Sequence, residues 1–272
     1  MTDRYAVIGN PIHHSKSPFI HREFARQTQQ DMCYEAILSP LDQFAHTVRS
    51  FQNQGGKGLN VTLPFKIEAF RLATQLTERA QSAQAVNTLQ FRDHNEIIGD
   101  NTDGTGLVRD IEVNQAISIR NKNILLMGAG GAARGVILPL LRFEPDQLTI
   151  ANRTLDKAIE LQRQFACFGN IRSASYQELT QEKFDIIINA TSASLANKLP
   201  PLTPNVFAAQ ALAYDMMYGK QLTPFLQFAR HCSVSHLVDG IGMLVEQAAE
   251  SFYLWRGIRP ETETVIRMLK NS

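Results

Sequence analysis

Tryptophan occurs once in the 272 residues and cysteine only three times, at Cys33, Cys167 and Cys232. Three widely spaced cysteines without a C-x-x-C pair supply neither a disulfide framework nor a structural zinc site, so buried thiols are expected. Excess charge of either sign is also missing, since 27 Lys and Arg stand against 26 Asp and Glu. That balance gives no reason to expect nucleic acid or an anionic membrane surface as partner, and a small-molecule ligand is favoured. Long apolar runs are absent too. The one near the N-terminus, Tyr5-Ala6-Val7-Ile8-Gly9, is too short for a signal peptide, and no later run reaches the roughly 20 residues of a membrane-spanning helix. A cytoplasmic protein without membrane contact is expected. Repeats and low-complexity tracts are missing, and the length exceeds that of a usual single core, so two domains are expected.

What is present declares itself at residues 123–136, where a short apolar run stops at glycines and a small-residue helical pattern follows. Gly128 suits a tight turn, Gly130 lets the main chain approach a pyrophosphate, and Ala133 allows close packing of helix on strand. The amides of Ala129, Gly130, Gly131 and Ala132 then border a helix N-terminus that attracts phosphate. The following strand, Leu148-Thr149-Ile150-Ala151, closes a βαβ unit and ends in Asn152, Arg153 and Thr154, with Lys157 close behind. A protein selecting NAD would present an acidic residue there for the ribose hydroxyl. An arginine with a nearby lysine suits a 2'-phosphate, so NADP is expected.

The N-terminal third reads as α/β as well. A strand over residues 5–9 leads through a loop to Ser15, Lys16, Ser17 and Pro18, with Ser17 expected as N-cap of a helix and Pro18 at its first position. Hydroxyls and amides at that place can bind a carboxylate. His13 and His14 lie in the same loop without acidic or cysteine partners at ligand spacing, so solvated side chains are expected and no metal site. Further strands lead to Asn60 and Thr62, to Asn87 and Thr88, and to Asn101, Thr102 and Asp103. Amides and hydroxyls gathered at strand ends suit a ligand with several hydroxyls. Pro64 is expected to open a helix with Lys66 in its first turn, where a cation loses about 0.3–1 kcal/mol to the macrodipole. Near the C-terminus, Gln247 shares a helical face with Met243, Leu244 and Ala248.

These residues together resemble the shikimate dehydrogenases over almost the whole chain. The marks are Ser15-Lys16-Ser17-Pro18, Asn60-Val61-Thr62, Pro64-Phe65-Lys66, Asn87-Thr88, Asp100-Asn101-Thr102-Asp103-Gly104, the segment from Gly128 to Ala132, Asn152-Arg153-Thr154, Asn189-Ala190-Thr191-Ser192, and Asp239-Gly240 with Met243, Leu244 and Gln247. The resemblance implies NADP-dependent, reversible reduction of 3-dehydroshikimate to shikimate in aromatic amino-acid biosynthesis. It implies that Ser15 and Ser17 hold the substrate carboxylate, that Asn60, Thr62, Asn87, Asp103, Tyr218 and Gln247 surround the rest, and that Lys66 and Asp103 serve proton transfer. Thr191, Ser192, Met216 and Gly240 join the cofactor side. Ser194 stands where the family usually has glycine. The implied architecture is an N-terminal α/β substrate domain, a Rossmann-like dinucleotide domain, and C-terminal helices packing back on the first: 1–106 with 240–272, and 107–239, as monomer or homodimer.

Two rivals stand beside this expectation. A quinate/shikimate dehydrogenase accepting NAD is disfavoured by Arg153 and Lys157. A non-catalytic sensor of nucleotide and shikimate-like ligands is disfavoured by the retention of both Lys66 and Asp103, which a sensor does not need.

Overall fold

A computed structural model describes residues 2–191, 199 and 201–271. They fall into two compact units, Met1–Gly106 with Leu244–Ser272, and Leu107–Met243. Ser192 and Ser194 lie outside the described residues.

In the first unit the chain runs β1 (Asp3–Gly9), α1 (Ser17–Thr28), β2 (Met32–Leu38), α2 (Phe44–Asn53), β3 (Gly56–Val61), α3 (Lys66–Leu72), β4 (Gln75–Leu76), α4 (Glu78–Ala83), β5 (Thr88–Phe91), β6 (Ile97–Asp100) and the start of α5 (Asp103–Arg109). The sheet order is β2-β1-β3-β5-β6-β4. β1 is parallel to β2 and β3, whereas β5 runs antiparallel to β3 and β6. This corrects the expectation that Asn87 and Thr88 mark a strand exit. They stand at the entrance of β5, and because that strand is reversed, Thr88 lies opposite both Asn60 at the end of β3 and Asp100 at the end of β6. Three polar strand ends therefore share one edge of the sheet. Beneath them, Ile8, Leu59, Val61, Phe65 and Leu89 form a buried core.

Two helix starts also differ from expectation. Ser17 is the first residue of α1 rather than its cap: the residue before it is Lys16, and the Ser15 hydroxyl accepts the Ser17 N–H at 3.3 Å. α3 begins at Lys66, with Pro64 in the preceding turn and buried Phe65 stacked on Phe44 at 4.9 Å. Burial of Phe65 fixes where the helix begins, and Lys66 is in its first turn as expected.

The second unit contains the rest of α5, which widens into a π-helical turn over Asp110–Asn114, then β7 (Asn123–Met127), α6 (Gly131–Leu141), β8 (Gln147–Ala151), α7 (Leu155–Phe165), β9 (Ile171–Ala174), β10 (Phe184–Asn189), β11 (Phe207–Asp215), α8 (Pro224–His231) and β12 (His236–Val238). All pairings in this sheet are parallel, in the order β12-β11-β10-β7-β8-β9. Runs such as Ile186-Ile187-Ile188 are apolar throughout because side chains are buried on both faces of the sheet: Ile186 and Ile188 in one cluster, Ile187 in the other. The order reverses between β7 and β10, which places a crevice beyond the C-terminal ends of those two strands.

α9 (Ile241–Arg256) and α10 (Glu263–Lys270) complete the chain, and from Leu244 onward they belong to the first unit. A chain of charges ties α9 to β6. Arg79 donates twice to Asp100, at 2.6 and 2.8 Å, and once to Glu250 at 3.0 Å; Arg259 donates to Glu250 at 2.7 Å and to Glu246 at 2.9 Å. Every carboxylate in this chain faces a guanidinium, which offsets their desolvation. The expected burial of the cysteines is corrected: Cys33 and Cys167 are exposed and Cys232 is half-buried. His13 and His14 are exposed, as expected of loop histidines.

Candidate active site

The shared edge of the first sheet carries a dense polar cluster. Lys66 Nζ donates to Asp103 Oδ2 at 2.5 Å, with the two side chains 26% and 11% exposed. The other carboxylate oxygen of Asp103 accepts from Asn87 Nδ2 at 2.8 Å. Asp103 is thus held from both sides, by residues of α3 and of the turn entering β5. The backbone supports this placement, because Val86 N–H donates to the Lys66 carbonyl at 2.9 Å and the Asn101 amide donates to the Ala85 carbonyl at 3.1 Å.

Asn87 is itself locked. Its Oδ1 accepts from the Thr102 N–H at 2.9 Å and from the Thr88 hydroxyl at 2.8 Å, and its amide nitrogen also approaches Gln247 Oε1 at 3.4 Å. Gln247 donates its own amide to the Leu244 carbonyl at 2.7 Å. Asn60 completes the cluster, donating to Ser251 Oγ at 2.9 Å and Thr88 Oγ1 at 3.2 Å while accepting from Tyr34 at 2.7 Å. Thr62 follows β3 directly, half-buried, with its N–H on the Ile8 carbonyl at 3.0 Å. Ser15 and Ser17 sit together at the start of α1, half-buried and buried. The unit thus brings Asn60, Lys66, Asn87, Asp103 and Gln247 into one bonded network. Tyr218 is not part of it; this residue lies exposed in the second unit, beyond β11.

Thr88 and Thr102, named from the sequence among the strand-end hydroxyls, belong to the network, and so do Ser251 and Tyr34, which the sequence did not single out. Ser251 had a signal, since it follows Gln247 by four residues and so shares its helical face. Tyr34 had none, because an aromatic residue in a strand reads first as packing.

In the second unit, Gly128 leaves β7 with φ +111°, and a Cβ there would lie 3.2 Å from the Ala190 carbonyl oxygen beyond β10. Only glycine combines that conformation with so close an approach. Gly130 precedes α6, and a Cβ added at Gly130 or Gly131 would meet nothing within 4 Å, so the chain keeps open space over the amides of an 11-residue helix. Ala129 is half-buried and Ala132 exposed beside them. Asn152 donates to the Thr154 carbonyl at 2.8 Å, which shapes the turn after β8, and Arg153, Thr154 and Lys157 are all exposed there. A phosphate on the ribose fits two exposed cations and a hydroxyl better than it would fit a carboxylate. On the β10 side, Thr191 donates to Asn189 Oδ1 at 2.7 Å, and Asn189 donates to buried Asp215 at 3.1 Å. Asp215 also accepts from Met217 N–H at 3.0 Å, fixing the segment that carries Met216. Gly240 stands so close to Met216 that a Cβ would come within 2.2 Å of its carbonyl oxygen.

A doubly wound dinucleotide fold with a cationic turn after its second strand, in one chain with a lysine–aspartate pair among carboxamides and hydroxyls, defines an NADP-dependent oxidoreductase acting on a polar small molecule. Family profiles agree: residues 7–89 match the shikimate dehydrogenase substrate binding domain, 111–197 match shikimate / quinate 5-dehydrogenase, and 240–270 match the shikimate 5'-dehydrogenase C-terminal domain. The shikimate dehydrogenase (NADP(+)) of Nitrosospira multiformis is 63% identical over 272 residues, covering 100% of this chain and 98% of that one. Among solved structures, an Ael1 enzyme from Pseudomonas putida superposes with TM-score 0.94 at 50% identity, covering 98% of each chain. Shikimate 5-dehydrogenase from Thermus thermophilus, in complex with NADP(H) and shikimate, superposes with TM-score 0.88 at 27% identity, covering 99% of each. The chain belongs to the shikimate dehydrogenase family.

Proposed function

We propose that this protein catalyses the reversible, NADPH-dependent reduction of 3-dehydroshikimate to shikimate, and that the Lys66–Asp103 pair moves the proton. The 2.5 Å contact between them, inside a network of uncharged donors and acceptors, is the observation that carries this assignment. NADP supplies a hydride acceptor or donor for the carbinol carbon. Gly128, Ala129, Gly130, Gly131 and Ala132 would hold its pyrophosphate, with Asn152, Arg153, Thr154 and Lys157 at the 2'-phosphate and Thr191, Met216 and Gly240 on the β10 side of the crevice; Ser192 is assigned to the cofactor by the family resemblance alone. The first unit is assigned to substrate and the second to NADP.

For the substrate, Ser15 and Ser17 offer hydroxyls to the carboxylate, while Asn60, Thr62, Asn87, Asp103, Tyr218 and Gln247 are assigned to the hydroxylated ring. Lys66 donates a proton to the carbonyl oxygen during reduction, and the Lys66–Asp103 pair receives the hydroxyl proton during oxidation. Asp103, oriented by Asn87, holds the lysine amine in place through both directions. No described helix is long and apolar enough to cross a membrane. With balanced charge and a small-molecule substrate, we place the protein in the cytoplasm, as monomer or homodimer, without nucleic-acid partners. The test is reduction of the cofactor followed by absorbance, with shikimate or quinate against NADP or NAD. Turnover with shikimate and NADP is expected to exceed the other three combinations; preference for NAD or quinate, or no turnover at all, would overturn the assignment.

A further inference from the structure

Asn60 is an ambiguous group until its neighbours are counted. A carboxamide has a donor end and an acceptor end of almost equal size, and the ligand's hydroxyls see one or the other according to how the group is turned. The turn is decided by the Asn87 backbone carbonyl, which lies 3.3 Å from Asn60 Nδ2 and can only accept. With the nitrogen end fixed there and on Ser251 and Thr88, Oδ1 faces the Tyr34 hydroxyl at 2.7 Å, and Tyr34 must be the donor.

Tyr34 is well suited to be a constant donor. Along β2 side chains alternate, so Cys33 and Glu35 are exposed while Tyr34 points to the other face. There its ring stacks on the His21 imidazole at 4.1 Å and 6°, and His21 packs in turn near Phe24, Phe252 and Trp255. His21 is fully buried, neither ring nitrogen makes a well-formed hydrogen bond, and burial pushes its pKa down to about 3, with the nearby Asn60 side chain pulling less strongly the other way. It therefore serves Tyr34 as a neutral, flat support. Burial also pushes the Tyr34 phenol well above its ordinary value, with the nearby Ser17 hydroxyl working in the opposite direction. The phenol keeps its proton throughout the neutral range. It also stands between Ser17, assigned to the substrate carboxylate, and Asn60, assigned to its hydroxyls.

We propose that Tyr34 is a positioning residue for the substrate: its hydroxyl holds the oxygen end of an Asn60 carboxamide whose nitrogen end is already fixed, and sets the spacing of Asn60 from Ser17, so that the site recognises a carboxylate and a ring hydroxyl at a set separation. The proposal deepens the assignment of Ser17 and Asn60 as substrate contacts and rests on it. Tyr34 touches neither the transferred proton nor the carbon being oxidised, so its loss acts on binding rather than on the chemical step. With the phenol donor gone, Asn60 is held at its nitrogen end alone and its oxygen end is free to drift from its place opposite Ser17.

The test compares Tyr34→Phe, Asn60→Ala and the double variant by steady-state kinetics on the full-length protein. Tyr34→Phe keeps the stacked ring and is expected to raise the KM for shikimate roughly five- to twenty-fold, the effect of one lost hydrogen bond, with kcat and the KM for NADP little changed. The double variant is expected to be no worse than Asn60→Ala alone, because the phenol acts through that amide. Additive losses, an unchanged KM in Tyr34→Phe, or parallel losses in both KM values would overturn the proposal. If Tyr34→Phe fails to fold, 4-aminophenylalanine at position 34 carries the test. It restores a donor and is expected to keep the KM for shikimate near that of the unmodified protein; a KM as poor as that of Asn60→Ala would overturn the proposal. Absence of shikimate turnover in the unmodified protein would instead overturn the functional assignment itself.

Discussion

Lys66 and Asp103 meet at 2.5 Å although 37 positions separate them in the chain, and Asn87 holds the second oxygen of the same carboxylate at 2.8 Å. The aspartate therefore accepts from two donors that face it from different elements. Replacing it by asparagine leaves the shape but not this pattern. One end of the new amide becomes an NH2 group, which must face either the Lys66 ammonium or the Asn87 amide, donor against donor. Asp103→Asn is expected to lower kcat roughly 10²-fold, with shikimate binding reduced less. Stopped-flow kinetics alongside calorimetric titration with shikimate checks this, and a variant impaired only in binding would contradict it.

Cofactor choice is assigned to the turn after β8, where Arg153 and Lys157 are exposed. Arg153→Ala should weaken NADP binding by on the order of 1.5 to 3 kcal/mol, the worth of a charge-assisted pair, while leaving NAD nearly unaffected. The ratio of kcat/KM for the two cofactors reads this directly, and equal losses towards both would remove Arg153 from selection.

Gln247 lies on α9 within reach of Asn87, its amide resting on the Leu244 carbonyl of its own helix. That bond is local and exchangeable, so the amide can turn to a ligand hydroxyl. Gln247→Ala is expected to raise the KM for shikimate several-fold without altering that for NADP, by loss of about 1 kcal/mol of hydrogen bonding. An unchanged KM in folded protein would make it a helix residue only.

His21 gives the fold a pH dependence of known sign. Its folded pKa of about 3 lies below the unfolded value of 6.5 because burial of the ring outweighs the opposing pull of the nearby Asn60 side chain. Between those values the unfolded chain binds a proton that the folded chain does not, so stability rises with pH across that window and flattens above it. His21→Phe should remove this contribution to the slope: on going from pH 6.5 to pH 5, the unmodified protein should lose about 1.6 kcal/mol more than the variant in urea unfolding. Parallel pH profiles would contradict the buried neutral imidazole.

Much of this is legible in the amino-acid sequence. β7, the Gly128 turn and α6 were plain because a parallel strand buried on both faces is a continuous apolar run, and the turn after it admits only small residues. β4 and β9 were not, for two residues of Gln75-Leu76 and the mixed sequence Ile171-Arg172-Ser173-Ala174 carry no period to detect. The reversal of β5 was equally hidden: Asn87 and Thr88 look the same at the entrance of an antiparallel strand as at the exit of a parallel one. In the site, residues near glycine or proline punctuation stood out, whereas Tyr34 and Ser251 act through partners 26 and 191 positions away from them. Such pairings exist only once the sheet and α9 have assembled.

The central claim is that Lys66 handles the proton of the substrate hydroxyl. Lys66→Ala, with folding verified and shikimate and NADP affinities measured by calorimetry, is the direct measurement. We expect kcat to fall roughly 10²- to 10⁴-fold while both affinities change little, the effect of removing a positioned acid or base. A kcat near that of the unmodified protein would contradict the account and leave Lys66 a cation at the start of a short helix.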